Sequence, residues 1–203
     1  MALVSSYDRF IFDYGGVLAH HQQEADQARL SEIAQIPRGL LNELYWSERP
    51  DYDKDLVSGQ EYWNRVAHRA GTTLSERSVE ELIELDTRSW MQFDSVMWEW
   101  VDQLRLAGKR LALLSNMPRD LGEALKSGTQ KLSSFDYLTL SYEVRAVKPE
   151  PVVYQLCLEG LDATPEQTLF LDDRIENVQG AELLGIRAIQ FTNRDDVLLL
   201  LRN

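Results

Sequence analysis

The chain is 203 residues long and has one cysteine, Cys157, which rules out an intrachain disulfide. That cysteine sits in PVVYQLCLEG among apolar neighbours, which suits a small buried hydrophobe better than a reactive thiol. No apolar run reaches the ~20 residues of a membrane-spanning helix, so no membrane partner is expected. The opening MALVSSYDRF lacks a basic segment leading into a long apolar one, so it does not read as a secretory signal. A cytoplasmic setting is the expectation. Lys/Arg runs are also missing, and 33 acids against 21 bases give a formal net charge of -12. Such a surface repels a phosphate backbone, so nucleic acid is not an expected partner. There is no Ser/His/Asp triad, no cysteine-containing metal cluster and no GxxxxGK[ST] loop. Internal repeats and low-complexity tracts are absent too.

What is present is ordinary for a globular protein, with 44% hydrophobic and 27% charged residues. Four short apolar runs read as buried parallel strands: RFIFDY (9–14), RLALLS (110–115), LFLDD (169–173) and IRAIQF (186–191). A weaker fifth is DYLTLS (136–141). Between them lie helical patterns: VMWEWVDQLRLAGK (96–109) closing at Gly108, PEPVVYQLCLEG (149–160) closing at Gly160, and NVQGAELLG (177–185). This alternation predicts an α/β fold, a Rossmann-like, doubly wound parallel sheet. Residues 20–92 differ, with four amphipathic helical stretches and no convincing strand. The expected organisation is a core of residues 1–18 and 93–203, with a helical cap of residues 19–92 inserted after the first strand.

Ligands of an open parallel sheet bind beyond the carboxyl ends of its strands. Here those ends carry Asp13, then Ser115 and Asn116, then Asp172 and Asp173, with Lys148 opening the helix after the weak strand. Each alone reads as a cap, a turn residue or a solvated charge; together, in this order, they read as a site. Two or more carboxylates and one lysine invite a hard divalent cation, and oxygen-only ligands suggest Mg²⁺. A cation and an ammonium together suit a dianionic phosphate, which Asp13 could then attack as a nucleophile. Gly15 and Gly16 would let the backbone approach the ligand. The stretch DYDKD (51–55) mimics the start of a calcium loop, but Leu56 and Tyr62 stand where glycine and glutamate are required. It reads instead as a solvated turn. Tyr45, Trp46, Tyr62 and Trp63 read as cap-core aromatics, with Trp46 the one most suited to face a substrate.

The four motifs DYGGVL, LLSNMP, VKPEP and LFLDDRIENVQGAELLG resemble those of the haloacid dehalogenase-like (HAD) hydrolase superfamily, over essentially the whole chain. The nearer resemblance is to the branch with bacterial α-D-glucose-1-phosphate phosphatases and the N-terminal phosphatase domain of soluble epoxide hydrolases. The resemblance implies that Asp13 is the nucleophile, that Ser115, the Asn116 backbone and Lys148 hold the phosphoryl oxygens, and that Asp13, the Gly15 carbonyl, Asp172 and Asp173 hold Mg²⁺. It implies a small phosphorylated substrate, a sugar phosphate for preference, and a monomer or homodimer. One position departs from the pattern. Where phosphatases of this family usually carry a second aspartate, two residues after the nucleophile, this chain has Gly15. General acid–base help worth about 10²–10⁴-fold is lost with it. His20 and His21, just past the motif, are candidate replacements. A 2-haloacid dehalogenase, whose halide leaves without a proton, is one alternative; a catalytically impaired relative that binds a phosphate ligand or a partner is another. Asn177 is expected to cap or orient the last motif's helix, and Arg174 to be a surface charge.

Overall fold

Along the first strand, alternate side chains go to opposite faces of a sheet. Phe10 and Phe12 pack into one apolar cluster and Ile11 into another. In a computed structural model, which describes residues 6–195 and Leu199, this strand is β1 (Arg9–Phe12). Four more follow: β2 (Arg110–Ser115), β3 (Tyr137–Leu140), β4 (Thr168–Asp172) and β5 (Arg187–Gln190). All pair in parallel, in the order β3-β2-β1-β4-β5. The order reverses beside β1, where the neighbours are β2 and β4. Each of the five apolar runs lies on a strand, shorter by a residue or two at some ends. The ends of the expected core at residues 1–5, 196–198 and 200–203 fall outside the described residues.

Helices cover both faces of the sheet. Helix α5 (Ser95–Leu106) lays Met97, Trp98, Trp100, Val101 and Leu104 against Phe10, Phe12, Leu111 and Leu113. Asp94 caps it, its carboxylate accepting from the amides of Val96 and Met97. On the other face, α8 (Pro151–Leu161) and α9 (Ile175–Glu182) cover Ile11, Ala112, Leu114 and Phe170. Cys157 is fully buried there, and burial pushes its thiol up to about 12, so it is an inert hydrophobe.

Between β1 and α5 the chain forms α1 (Glu24–Ala34), α2 (Arg38–Asp53), α3 (Gly59–Arg69) and α4 (Glu76–Ser89). These helices bury a cluster of their own around Tyr45, Tyr62, Trp63 and Leu82. Ser58 and Glu61 close a reciprocal capping box at the start of α3. Among the described residues, no helix is long and apolar enough to cross a membrane.

Two local expectations need correction. Gly160 does not end α8, which continues to Leu161 and closes on Asp162 in the left-handed conformation. Instead the missing side chain at Gly160 makes room for the Tyr137 ring, 2.3 Å from where a Cβ would stand. DYDKD is not all solvated turn, because Asp51–Asp53 form the last turn of α2 and Tyr52 and Asp53 are buried. Two helices, α6 (Arg119–Gly128) and the four-residue α7 (Ser141–Val144), have no counterpart in the sequence reading. Gly122 sits inside α6 against the buried Tyr142 ring, where a Cβ would stand 2.2 Å from Cε1. Gly122→Ala gains at most about 1 kcal/mol in helix propensity but overpacks by about 1–3 kcal/mol. A net loss of stability is expected, read as a lower urea midpoint at unchanged m-value.

Candidate active site

The reversal of strand order beside β1 leaves a crevice at the carboxyl ends of β1 and β4. The β1–β4 register aligns Phe12 with Leu171, so the next residues, Asp13 and Asp172, come side by side. Asp172 is fully buried and Asp13 nearly so. Lys148, also buried, joins them: its ammonium lies 2.8 Å from Asp13 Oδ1 and donates to Asp172 Oδ2 at 2.6 Å and to the Leu114 carbonyl at 2.9 Å. Its three protons are therefore taken within the protein. Asp13, Asp172 and Asp173 each offer an oxygen within 4.8 Å of the others. Three carboxylates against one ammonium leave an excess of negative charge, and an all-oxygen donor set of this kind fits a hard divalent cation.

The same crowding governs protonation. Burial pushes the Asp13 carboxyl up to about 8, Lys148 pulls it the other way, and Asp172 and Asp173 add repulsion. Burial and then the neighbouring Asp172 raise Asp173 as well. For Lys148, burial disfavours the charge, but Asp13 and Asp172 together outweigh it and hold the ammonium above its ordinary value.

Backbone and amide groups fix the acids. The Tyr14 N–H donates to Asp13 Oδ1 at 2.7 Å. Asn177 donates its Nδ2 to both oxygens of Asp172, at 3.0 and 3.1 Å, and the Arg174 N–H adds a third bond at 2.9 Å. Asn177 thus orients a carboxylate from inside α9 and does not cap the helix. Arg174 occupies the N-cap position at the cavity wall, paired with Glu176. Asn116 clamps the Lys148 backbone, accepting from its N–H at 2.7 Å and donating to its carbonyl at 3.0 Å.

A cavity of about 530 Å³ opens above this cluster. Asp13, Gly15, Trp46, Asn116, Lys148 and Asp173 line it; Ser115, at the end of β2, is buried and lies outside the lining, as does Asp172. Of the two histidines, His21 lines the cavity with Nε2 3.4 Å from Asp173, while His20 points to Asp94. Gly16 has a left-handed backbone (φ 74°) and lies against Asp173, where a Cβ would come within 2.7 Å of Oδ2. Gly15, in the cavity lining, is also closely packed. The Trp90 ring covers it, 3.2 Å from the place of a Cβ.

The sequence reading did not anticipate Arg49, Asp53 and Trp90, which also line the cavity. Arg49 Nε donates to Asp53 Oδ1 at 2.8 Å, and its Nη1 donates to Asp86 Oδ2 at 3.2 Å and to the Tyr45 hydroxyl. Trp90 Nε1 donates to that same hydroxyl at 3.0 Å. Burial raises Asp53 and Asp86, with Arg49 the main opposing influence. The only signal in the sequence was Arg49 and Asp53 at i, i+4 on one helix face.

Asn177→Ala removes two hydrogen bonds from Asp172 while leaving every candidate metal ligand in place. Calorimetric titration with Mg²⁺ is expected to show divalent-cation affinity weakened about 10–100-fold, the usual cost of losing a group that orients a ligand.

Known proteins share both sequence and fold with this chain. Bifunctional epoxide hydrolase 2 of Mus musculus is 26% identical over 203 residues, covering 92% of this chain and 37% of that protein. The chain thus spans little more than a third of the length of that relative. Protein CbbY of Rhodobacter capsulatus is 26% identical over 92% of this chain and 87% of its own length. Among solved structures, a HAD family enzyme of Bacteroides thetaiotaomicron, crystallised with magnesium and inorganic phosphate, superposes with a TM-score of 0.75. It covers 95% of this chain and 98% of its own, at 21% identity, and so shows the common fold. The haloacid dehalogenase-like hydrolase family model matches residues 7–185, from the approach to β1 through the end of α9, and this chain belongs to that family of hydrolases.

Proposed function

We propose that this hydrolase is a Mg²⁺-dependent phosphatase of a small phosphorylated metabolite, a sugar phosphate for preference. The observation that carries this reading is Asp13 at the end of β1, 2.8 Å from a buried lysine and grouped with Asp172 and Asp173. Asp13, Asp172, Asp173 and the Gly15 carbonyl are the proposed Mg²⁺ ligands. When bound, the metal supplies charge that screens the incoming dianion from these acids and polarises the phosphoryl group.

Tyr14 N–H and Lys148 hold Oδ1 of Asp13. Among the described residues Oδ2 has no hydrogen bond, and it is assigned the attack on phosphorus. A P–O bond forms to Asp13 as the bond to the leaving oxygen breaks, giving an aspartyl-phosphate and an alcohol. Water then attacks the same phosphorus, releasing phosphate and the carboxylate. Asn116 keeps Lys148 in position through both steps, and its backbone, at the cavity wall, is the proposed phosphoryl contact, with Ser115 buried behind it at the end of β2. Gly15 supplies no proton, so the leaving oxygen draws on His21 or on water, and turnover is slow for a poor leaving group. Residues 19–92 act as a cap that closes over the ester and sheds bulk water.

A dehalogenase needs no metal, and the grouping of three carboxylates favours phosphate over that reading. Steady-state phosphate release from a panel of small esters, with and without Mg²⁺, tests it. Asp13→Asn is expected to lower turnover by about 10³-fold or more. Turnover unchanged in that variant, or indifferent to Mg²⁺, defeats the reading; a folded, Mg²⁺-binding protein with no turnover returns Gly15 to the impaired-relative alternative.

A pH dependence follows from the raised Asp13. Below about pH 8 the metal-free carboxyl carries a proton that Mg²⁺ must displace. Apparent Mg²⁺ affinity therefore rises with pH up to that point, by about tenfold per unit at most, and levels off above it. Titration calorimetry in buffers of different ionisation enthalpy reads the released proton directly.

A further inference from the structure

We infer that Arg49 and Asp53, on the last turns of α2, form a specificity-determining pair that hydrogen-bonds neighbouring hydroxyls of an uncharged leaving group and disfavours substrates with a second anionic group. This deepens the phosphatase reading and rests on it. Both residues are buried, and both line the cavity that holds Asp13 and Lys148.

Charge decides between a hydroxyl reader and a second phosphate site. Arg49 is a single guanidinium already bonded to Asp53 and Asp86. Two carboxylates against one cation leave this side of the cavity with no spare positive charge. Arg174, the other arginine of the lining, is engaged by Glu176. A second dianion would therefore be buried here without a counter-charge, a large cost.

Hydrogen-bonding capacity agrees with this. The donors of Arg49 in use are Nε and Nη1, and the acceptor of Asp53 in use is Oδ1. Among the described residues Arg49 Nη2 and Asp53 Oδ2 have no hydrogen bond. They leave a donor nitrogen with two protons and an acceptor oxygen four residues apart on one helix face, which suits two adjacent hydroxyls. Alongside them stand the indoles of Trp46 and Trp90, nearly perpendicular (79°) with centroids 6.2 Å apart. Such faces suit the C–H side of a ring whose polar edge turns to the pair. A volume of about 530 Å³ accommodates a phosphorylated hexose-sized molecule. A purely apolar leaving group would leave the buried pair without its partners, a strong basis for rejection.

The test is kcat/KM for a hexose monophosphate, a hexose bisphosphate and an aryl phosphate lacking hydroxyls, in wild type and in the isosteric Asp53→Asn. Asparagine still accepts from Arg49 but offers the hydroxyl no carboxylate, and it removes one negative charge. In the wild type the monophosphate is expected to exceed the bisphosphate. In the variant the ratio of hexose monophosphate to aryl phosphate falls at least about tenfold, chiefly through KM, and the bisphosphate gains relative to the monophosphate. Both ratios unchanged would mean that the pair only braces α2. A wild type that prefers the bisphosphate would make Arg49 an anion receptor and overturn the inference. If no ester turns over, the phosphatase reading falls by itself. The comparison then moves to calorimetric binding of the same two sugar phosphates in Mg²⁺. There, monophosphate binding weakened by Asp53→Asn supports the pair, and equal binding by both proteins overturns it.

Discussion

One ammonium holds this active site together. Lys148 bridges Asp13 and Asp172, acids delivered by two adjacent strands, and its third proton goes to a carbonyl of β2. Burying three carboxylates near one another without it would be prohibitive, and even with it the cluster retains excess negative charge. That excess makes the cluster a receptor for a hard cation. The geometry depends on backbone register: a slip of one residue in the β1–β4 pairing would move Asp13 away from Asp172 and turn alternate side chains to the wrong face. The apolar layers of α5 on one side and α8 and α9 on the other fix that register, so the hydrophobic core and the charged cluster constrain each other.

The molecule divides chemical labour by secondary structure. In the proposed reading the ends of β1, β2 and β4 supply groups that act on phosphorus, rigid because each of these three strands is paired on both sides. Helix α2 and the end of α4 supply Trp46, Arg49, Asp53 and Trp90, which line the other side of the same cavity. The two parts are tied near the site. The Ser141 hydroxyl donates to the Asp53 carbonyl at 2.7 Å, Tyr52 donates to Asp120 at 2.6 Å, and Arg119 holds Asp55 through two hydrogen bonds. These bonds pin the end of α2 and so position Asp53.

Much of the framework was legible because it rests on local pattern. Continuous apolar runs marked all five strands, and acids, hydroxyl and lysine at their ends marked the crevice. What could not be read was contact between distant segments. Helix α6 carries a glycine in its interior, and only the Tyr142 ring packed against it explains that choice. Arg49 and Asp53 sit in SERPDYDKD, which by composition is a polar turn; their burial depends on Asp86 and Tyr45, each far away in sequence or on another helical turn. Asn177 is only five residues from Asp172, but its helical position suggests capping, and the tight turn from β4 into α9 instead aims its amide at that carboxylate. The two adjacent histidines were indistinguishable in sequence and separate in space, since consecutive residues of an extended segment face opposite ways.

Trp90 does more than cover Gly15. Its ring stands 3.2 Å from where a Cβ at position 15 would be, its indole N–H holds the Tyr45 hydroxyl that also meets Arg49, and its carbonyl accepts from Tyr14, the neighbour of Asp13. Gly15 and the aromatic wall are therefore packed as one unit. A side chain introduced at position 15 meets the Trp90 ring at a tight contact, and shrinking Trp90 relieves that contact while removing the hydrogen bond to Tyr45.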